Sequence, residues 1–338
     1  MDSKARVVVV TGATAGVGRA AARAFAREGD YVVLMARDMD RLRATAQEVR
    51  ELGGRALPIA VDVASAEQVE NAAAQAEREA GPIDVWVNNA MATIFSPIGD
   101  ISPEEFRRAT EVTYLGAVYG TMSALRRMRA RDAGVIIQVG SALAYRSIPL
   151  QSAYCGAKHA LHGFTDSIRS ELLHDRSRVR ISMVQLPGVN TPQFEWCRTK
   201  IGRHPQPVGP VYQPEVAAKA IVWAASHKRR EIYVGWPAAV TIIGNKWMPR
   251  LFDRYLASHA YEQQFTSERI GLDRPDNLFD PVPTPYRAHG AFDRRAHAAS
   301  PQLWLSLHRG LLGAAMLVGA LAALALHRSR DAADVGRS

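Results

Sequence analysis

Val7-Val8-Val9-Val10-Thr11-Gly12-Ala13-Thr14-Ala15-Gly16-Val17-Gly18 reads in three parts. Four successive β-branched residues favour a buried strand. The glycines at 12, 16 and 18 then permit a tight turn and a close backbone approach, and the alanine-rich run that follows reads as a helix. A strand, a glycine turn and a helix N-terminus together present unpaired N–H groups and a positive dipole end, which suit a pyrophosphate. Gly12, Thr14, Ala15, Gly16, Val17 and Gly18 are therefore the expected cradle of a dinucleotide. The second strand ends about 20 residues on in Met35-Ala36-Arg37. An acidic side chain there would bind two ribose hydroxyls, whereas an arginine attracts a 2′-phosphate, so Arg37 points to NADP(H).

Outward from this stretch, β-rich runs alternate with helical patterns. Strands are expected at Arg6–Thr11, Tyr31–Ala36, Leu57–Asp62, Ile83–Asn88, Val135–Gly140, Val179–Leu186 and Glu231–Val234. Helices are expected between them, including a long one from Pro103 to about Arg131, Ser152–His174, and one opening at Pro214. Such βα alternation implies an α/β doubly wound Rossmann fold, a seven-stranded parallel sheet covered on both faces, over residues 1–236. With 47% hydrophobic and 22% charged residues the chain of 338 can bury a large core. Two cysteines, Cys155 and Cys197, make no disulfide framework, and no secretory h-region follows Met1.

Ser141 lies just past an apolar strand, and Tyr154-Cys-Gly-Ala-Lys158 follows thirteen residues later. Tyrosine and lysine four apart on a helix share a face. An ammonium beside a phenol stabilises its phenolate, which makes Tyr154 usable as a general acid or base, and Ser141 could hold a substrate oxygen. Cys155 projects about 100° away from Tyr154 and reads as packing. His159 and His162 lack supporting carboxylates at useful spacing, so no metal is expected.

With these motifs in this order, residues 5–236 resemble the short-chain dehydrogenase/reductase family in its single-domain form. The resemblance rests on Thr11–Gly18, Asp62-Val63, Asn88-Asn89-Ala90, Ser141, Tyr154 with Lys158, and Pro187-Gly188 with Thr191. It implies Tyr154 as proton donor or acceptor, Ser141 as the group orienting a carbonyl, and Lys158 as a further contact to the nicotinamide ribose. It also implies that Asp62 and Val63 contact adenine, that Asn88 braces the cofactor side of the sheet next to Asn89 and Ala90, and that Pro187, Gly188, Val189 and Thr191 flank the nicotinamide. Two positions depart from the family pattern. Thr113 stands where members often carry an asparagine that holds a relay water, and Met91 replaces the usual glycine after Asn-Asn-Ala. The expected activity is NADP(H)-dependent interconversion of an alcohol and a carbonyl, with a non-catalytic dinucleotide sensor or membrane scaffold as the alternative.

Beyond residue 236 the pattern changes. Residues 237–266 read as a helical extension, 267–302 as a proline-containing linker, 303–328 as an apolar helix and 329–338 as a polar tail. Gly310–Leu326 carries no charge over 17 residues. At ~25 Å it falls slightly short of a ~30 Å hydrocarbon core, which Leu303–Leu307 could extend. The expectation is a single C-terminal membrane span contacting lipid, with the catalytic domain in the cytoplasm and a lipophilic small-molecule substrate. The net charge of +9 is concentrated in residues 192–338, which hold 19 basic against 12 acidic groups. Without a zinc spacing or basic helix this does not imply nucleic-acid binding. A homo-oligomer is compatible with the pattern.

Overall fold

A computed structural model describes residues 5–284 and 286–310. Seven parallel strands, β1 (Val7–Thr11), β2 (Tyr31–Ala36), β3 (Arg55–Ala60), β4 (Ile83–Asn88), β5 (Val135–Ser141), β6 (Arg180–Leu186) and β7 (Glu231–Tyr233), form one sheet in the order β7-β6-β5-β4-β1-β2-β3. Helices α1 (Gly16–Arg27), α2 (Met39–Glu51), α3 (Ala66–Ala80), α4 (Pro103–Thr110), α5 (Gly116–Arg131), α6 (Ser152–His174) and α7 (Pro214–Ser226) connect the strands. The sheet is the doubly wound one that the βα alternation implies. Its strand order reverses between β1 and β4, which opens a crevice at their C-terminal ends. The glycine turn after β1 and Asn88-Asn89-Ala90 after β4 both fall at that crevice.

The core follows from composition. Val8, Val9 and Val10 are fully buried, and Trp86 on β4 is enclosed with Val33, Met35, Ile136 and Met128. Burial of side chains this size supplies about 1.5–3 kcal/mol each, which holds the sheet beneath the site. Start signals act where the residue types suggest. Pro103 opens α4 behind a reciprocal capping box between Ser102 and Glu105. The long helix expected from Pro103 is interrupted by a wider π-type turn at Glu111–Leu115, which contains Thr113. β3 begins two residues earlier than the apolar run Leu57–Asp62 suggests, because Arg55 pairs with Tyr31.

The segment after β7 differs from its reading. The helical extension breaks at Pro249 into α8 (Gly235–Trp247) and α9 (Pro249–Tyr255). Phe265–Arg269 pairs antiparallel with Arg203–Pro205, and Ala296–His297 runs parallel to Val211–Tyr212, which pairs in turn with Gly188–Val189. The stretch expected to be a linker is thus bonded to the body at several points. Leu278, Val282 and Ala288 are its buried apolar anchors.

Residues Pro301–Ser338 form a separate unit, whose described part contains α10 (Pro301–Leu307). Seven residues of helix reach on the order of 10 Å, about a third of a hydrocarbon core. Among the described residues no helix is long and apolar enough to cross a membrane. This corrects the expectation of a membrane-anchored protein with lipid as a partner and its domain facing the cytoplasm. The remainder of the apolar run, residues 311–328, lies outside the described residues.

Candidate active site

The glycine turn is closed from several sides. Gly16 has φ +53, and a Cβ there would lie 2.9 Å from Thr191 Cγ2. A Cβ on Gly18 would approach Gly12 O to 2.2 Å, so α1 can start this close to the turn only without a side chain. Thr14 and Val17 are buried in the turn, and Ala15 precedes α1 in an extended conformation. Asn89 Nδ2 donates to Thr11 O at 2.9 Å, and the Asn89 and Ala90 amides donate to Thr11 Oγ1 at 2.9 and 3.1 Å. The two strand ends flanking the crevice are therefore fixed to each other. Asn88 lies one layer deeper. It donates to Thr121 Oγ1 at 3.0 Å and accepts from Trp86 Nε1 at 2.8 Å, which braces α5 on the sheet.

Arg37 stands at the end of β2, beside Asp62 and Arg108. Asp62 accepts from the Ala64 amide at 3.0 Å and from Arg108 at 2.6 Å. Burial lowers the Arg37 pKa from its ordinary value, and the neighbouring Arg108 cation adds to this. The Arg37 and Arg108 guanidiniums stand at this end of the crevice with the carboxylates of Asp62 and Asp280 near Arg37. Val63 is buried there against Gly116.

At the other end, β5 carries Ser141 to its terminus, where Ser141 Oγ accepts from the Leu143 amide at 3.1 Å. Tyr154 and Lys158 both project from α6, with the ammonium 5.6 Å from the tyrosine ring centroid. Lys158 Nζ donates to Val139 O at 2.7 Å and is buried, with no ion pair to a carboxylate among the described residues. Burial disfavours the charged form of both groups, pushing Lys158 down to about 8 and Tyr154 up to about 12. The Ser141 hydroxyl partly offsets the rise at Tyr154. Tyr154 is partly exposed on the cavity wall.

Thr113 is fully enclosed. Its hydroxyl donates to Ala92 O at 2.8 Å and accepts from the Ala92 amide at 2.9 Å. The one proton of the hydroxyl is thus committed to a backbone carbonyl, so Thr113 has none to give a relay water and acts as a clasp on the loop after β4. Met91, in the same loop, lines the cavity. Pro187, Gly188, Val189 and Thr191 line it opposite the glycine turn. A single cavity of about 490 Å³ runs from Arg37 and Asp62 past Gly16 to Ser141, Tyr154 and Lys158.

Comparison with known proteins agrees with this geometry. A family model described as short chain dehydrogenase matches residues 6–201. The chain belongs to the short chain dehydrogenase family. It is 33% identical to the uncharacterized oxidoreductase YxnA of Bacillus subtilis over 82% of this chain and 78% of that protein. Among solved structures it resembles an alcohol dehydrogenase from the archaeon Thermococcus sibiricus complexed with 5-hydroxy-NADP, and a metagenomic short-chain oxidoreductase in complex with NADP. Both share 28% identity at a TM-score of 0.58, covering 68% of this chain and 96% of the other.

Other groups around the site of this short chain dehydrogenase carry no short-range signal in the sequence. Asn190 is fully buried; its side chain donates to Gln213 at 3.0 Å and Asp293 at 2.8 Å and accepts from the Phe292 amide at 3.0 Å. It thereby fixes the loop that holds Thr191. Behind the Ser141 loop, Tyr145 donates to Glu231 at 2.6 Å and bonds His162 at 2.8 Å. Burial opposes ionisation of Glu231, but bonds from His162, Tyr145 and Tyr233 outweigh it and hold the carboxyl down to about 2. Among the described residues, His162, Asp166 and Glu231 are the one cluster with metal-ligand spacing, and Asp166 is engaged by Arg169 and Arg230. Cys155 and Cys197 are free, buried thiols whose pKa burial raises.

Proposed function

We propose that this short chain dehydrogenase is an NADP(H)-dependent oxidoreductase that interconverts an alcohol and a ketone or aldehyde. The observation that carries the reading is the convergence of Ser141, Tyr154 and Lys158 on the cavity that begins at the glycine turn. The crevice suits a dinucleotide because Gly16 and Gly18, where a Cβ would strike Thr191 and Gly12 O, let α1 begin close against the turn, with Gly12, Thr14, Ala15, Gly16 and Val17 lining the cavity at its N-terminus. Gly12, Thr14, Ala15, Gly16, Val17 and Gly18 would hold its pyrophosphate. Arg37, with Arg108 beside it, would hold a 2′-phosphate. Asp62, Val63, Asn89 and Ala90 would border the adenosine, and Pro187–Thr191 the nicotinamide. When bound, that cofactor supplies the hydride.

The protein groups orient the carbonyl and manage the proton. Ser141 Oγ and the Tyr154 phenol would both donate toward a carbonyl oxygen, aligning and polarising it. A phenol raised to about 12 is fully protonated at neutral pH, so it can give its proton to the forming alkoxide. Lys158, fixed by Val139 O, keeps a positive charge one helical turn from that phenol, which stabilises the tyrosinate left behind. Thr113 is a positioning residue that keeps Ala92 in place. Leu143, Ile148, Phe194, Val208 and Ala238 give the substrate end an apolar lining, which supports a lipophilic substrate class.

The test is a panel of lipophilic and polar ketones, aldehydes and alcohols offered with each reduced and oxidised nicotinamide cofactor. Turnover with NADPH or NADP⁺ well above that with NADH or NAD⁺ supports the reading. NADPH binding without turnover of any compound contradicts it.

A further inference from the structure

Residues 276–284 and 286–290 do not run off the body as a spacer would. Their carbonyls accept hydrogen bonds from the same groups that border the dinucleotide crevice. Arg37 donates to Asn277 O at 2.7 Å and Phe279 O at 2.6 Å, and Arg108 donates to Leu278 O at 3.1 Å. Arg41 donates to Val282 O and to Thr284 O, the latter at 3.2 Å. Farther along, Arg19 donates to Tyr286 O, and the Gly16 amide donates to Arg287 O at 3.0 Å. The segment thus follows the crevice from its adenosine end to the start of α1.

Both ends of the segment are pinned. Asp276 pairs with Arg198 at 2.7 Å, and the Gly290 amide donates to Asn190 O at 3.3 Å. Between them Arg287 pairs with Glu195 at 2.7 Å. The Tyr286 ring stacks on Trp196 at 4.5 Å, and the Arg41 guanidinium lies 3.9 Å from the centroid of that ring. The segment lines the crevice, since Asn277, Leu278, Pro281 and Tyr286 border the same cavity as Gly16 and Tyr154. A bound dinucleotide would take over the Arg37 and Gly16 donors from its carbonyls, while the Arg41 and Glu195 contacts keep the chain across it. A dinucleotide lying there would sit beneath a covering chain held by a few polar bonds, most of them from arginines.

We propose that residues 276–284 and 286–290 are a strap latched over the dinucleotide crevice, and that NADP(H) enters and leaves only when the strap unlatches. This rests on the reading of the crevice as a dinucleotide site. Arg41 and Glu195 are latch residues that lie outside the groups assigned to hold the cofactor, as Arg19 and Arg198 also do. Releasing either lowers the barrier to opening in both directions, so cofactor entry and exit quicken together while affinity changes less.

The experiment compares the full chain with its Arg41→Met and Glu195→Gln variants, recording NADPH association and displacement by stopped-flow fluorescence. Hydrogen exchange of the 277–290 amides is followed in parallel without cofactor. Losing one or two latch bonds should raise both rate constants about tenfold and quicken strap exchange. Glu195→Gln is the milder change, so it serves if Arg41→Met disturbs the start of α2. NADPH binding with both rate constants as in the parent overturns the strap and leaves the cofactor reading standing. Faster association with unchanged dissociation also overturns it, because the segment would then compete for the crevice rather than cover it. No NADPH binding by the parent or either variant overturns the cofactor reading, and the strap with it.

Discussion

Replacing Gly16 by alanine tests whether the turn is built around the absence of a side chain. Two costs can be separated. The first is conformational, since φ at Gly16 is +53 and an L-residue there costs about 1–2 kcal/mol. The second is steric, because the new Cβ would lie 2.9 Å from Thr191 Cγ2 and 3.1 Å from Thr191 Cβ. Overpacking of this kind adds about 1–3 kcal/mol. Gly16→Ala should therefore destabilise the protein by about 2–5 kcal/mol in urea denaturation. Gly29 supplies the control, because its φ is +80 and nothing lies within 4 Å of a Cβ there. Gly29→Ala should lose only the conformational part, about 1–2 kcal/mol. Adding Thr191→Ser to Gly16→Ala removes the nearest clashing carbon and should recover most of the difference. NADPH affinity should fall in Gly16→Ala and stay at the parent value in Gly29→Ala. Equal destabilisation by the two glycine substitutions, or no recovery with Thr191→Ser, would refute the argument that Thr191 closes on the turn.

Arg37→Asp should weaken NADPH by about 10- to 100-fold, the worth of a charge-assisted bond, and leave NADH within a few-fold. Equilibrium titration with the two cofactors measures it. Thr113→Val should cost about 2–4 kcal/mol in denaturation, because the buried amide and carbonyl of Ala92 both lose their partner, and Thr113→Ser should restore most of it. The Glu231 carboxyl is held down to about 2 from an ordinary 4.5, so its contribution to stability is full above about pH 4.5 and disappears as pH falls toward 2. Denaturation midpoints taken across that window should drop more steeply for the parent than for Glu231→Gln. The His289 pKa is raised; burial opposes the rise, and Glu215 and Asp293 outweigh it. Its contribution is present below about pH 6.5 and is lost as pH rises through the raised pKa, a slope that His289→Ala should remove.

The parts of this molecule that were legible in the sequence are those coded by neighbours along the chain. Val7–Gly18 specifies a strand, a turn and a helix start within twelve residues. Tyr154 and Lys158 share a face because four residues make about one helical turn. What was not legible depends on pairs far apart in sequence. Arg108 meets Asp62 across 46 residues, and Asn190 meets Asp293 across 103. Residues 267–302 read as a linker because Pro275, Pro281, Pro283, Pro285 and Pro301 interrupt them and the buried anchors Leu278, Val282 and Ala288 are too sparse to mark an element. The strap's bonds come from arginine side chains to backbone carbonyls, which no residue pattern announces. Thr113 takes its expected role from the place the resemblance gives it, and the structure shows its hydroxyl bonded to the Ala92 carbonyl and amide instead. The expected membrane span rests on the apolar composition of Gly310–Leu326, and among the described residues no helix is long and apolar enough to cross a membrane.

The central claim is that the Tyr154 phenol delivers the proton in a reaction run by a bound nicotinamide cofactor. Its most direct test is Tyr154→Phe, assayed for NADPH-dependent carbonyl turnover with NADPH affinity measured on the same preparation. The ring, the packing and the cofactor crevice are retained, so affinity should stay within about threefold while turnover falls at least about 100-fold. Turnover near that of the parent, at unchanged affinity, would contradict the claim and require another proton donor in the cavity.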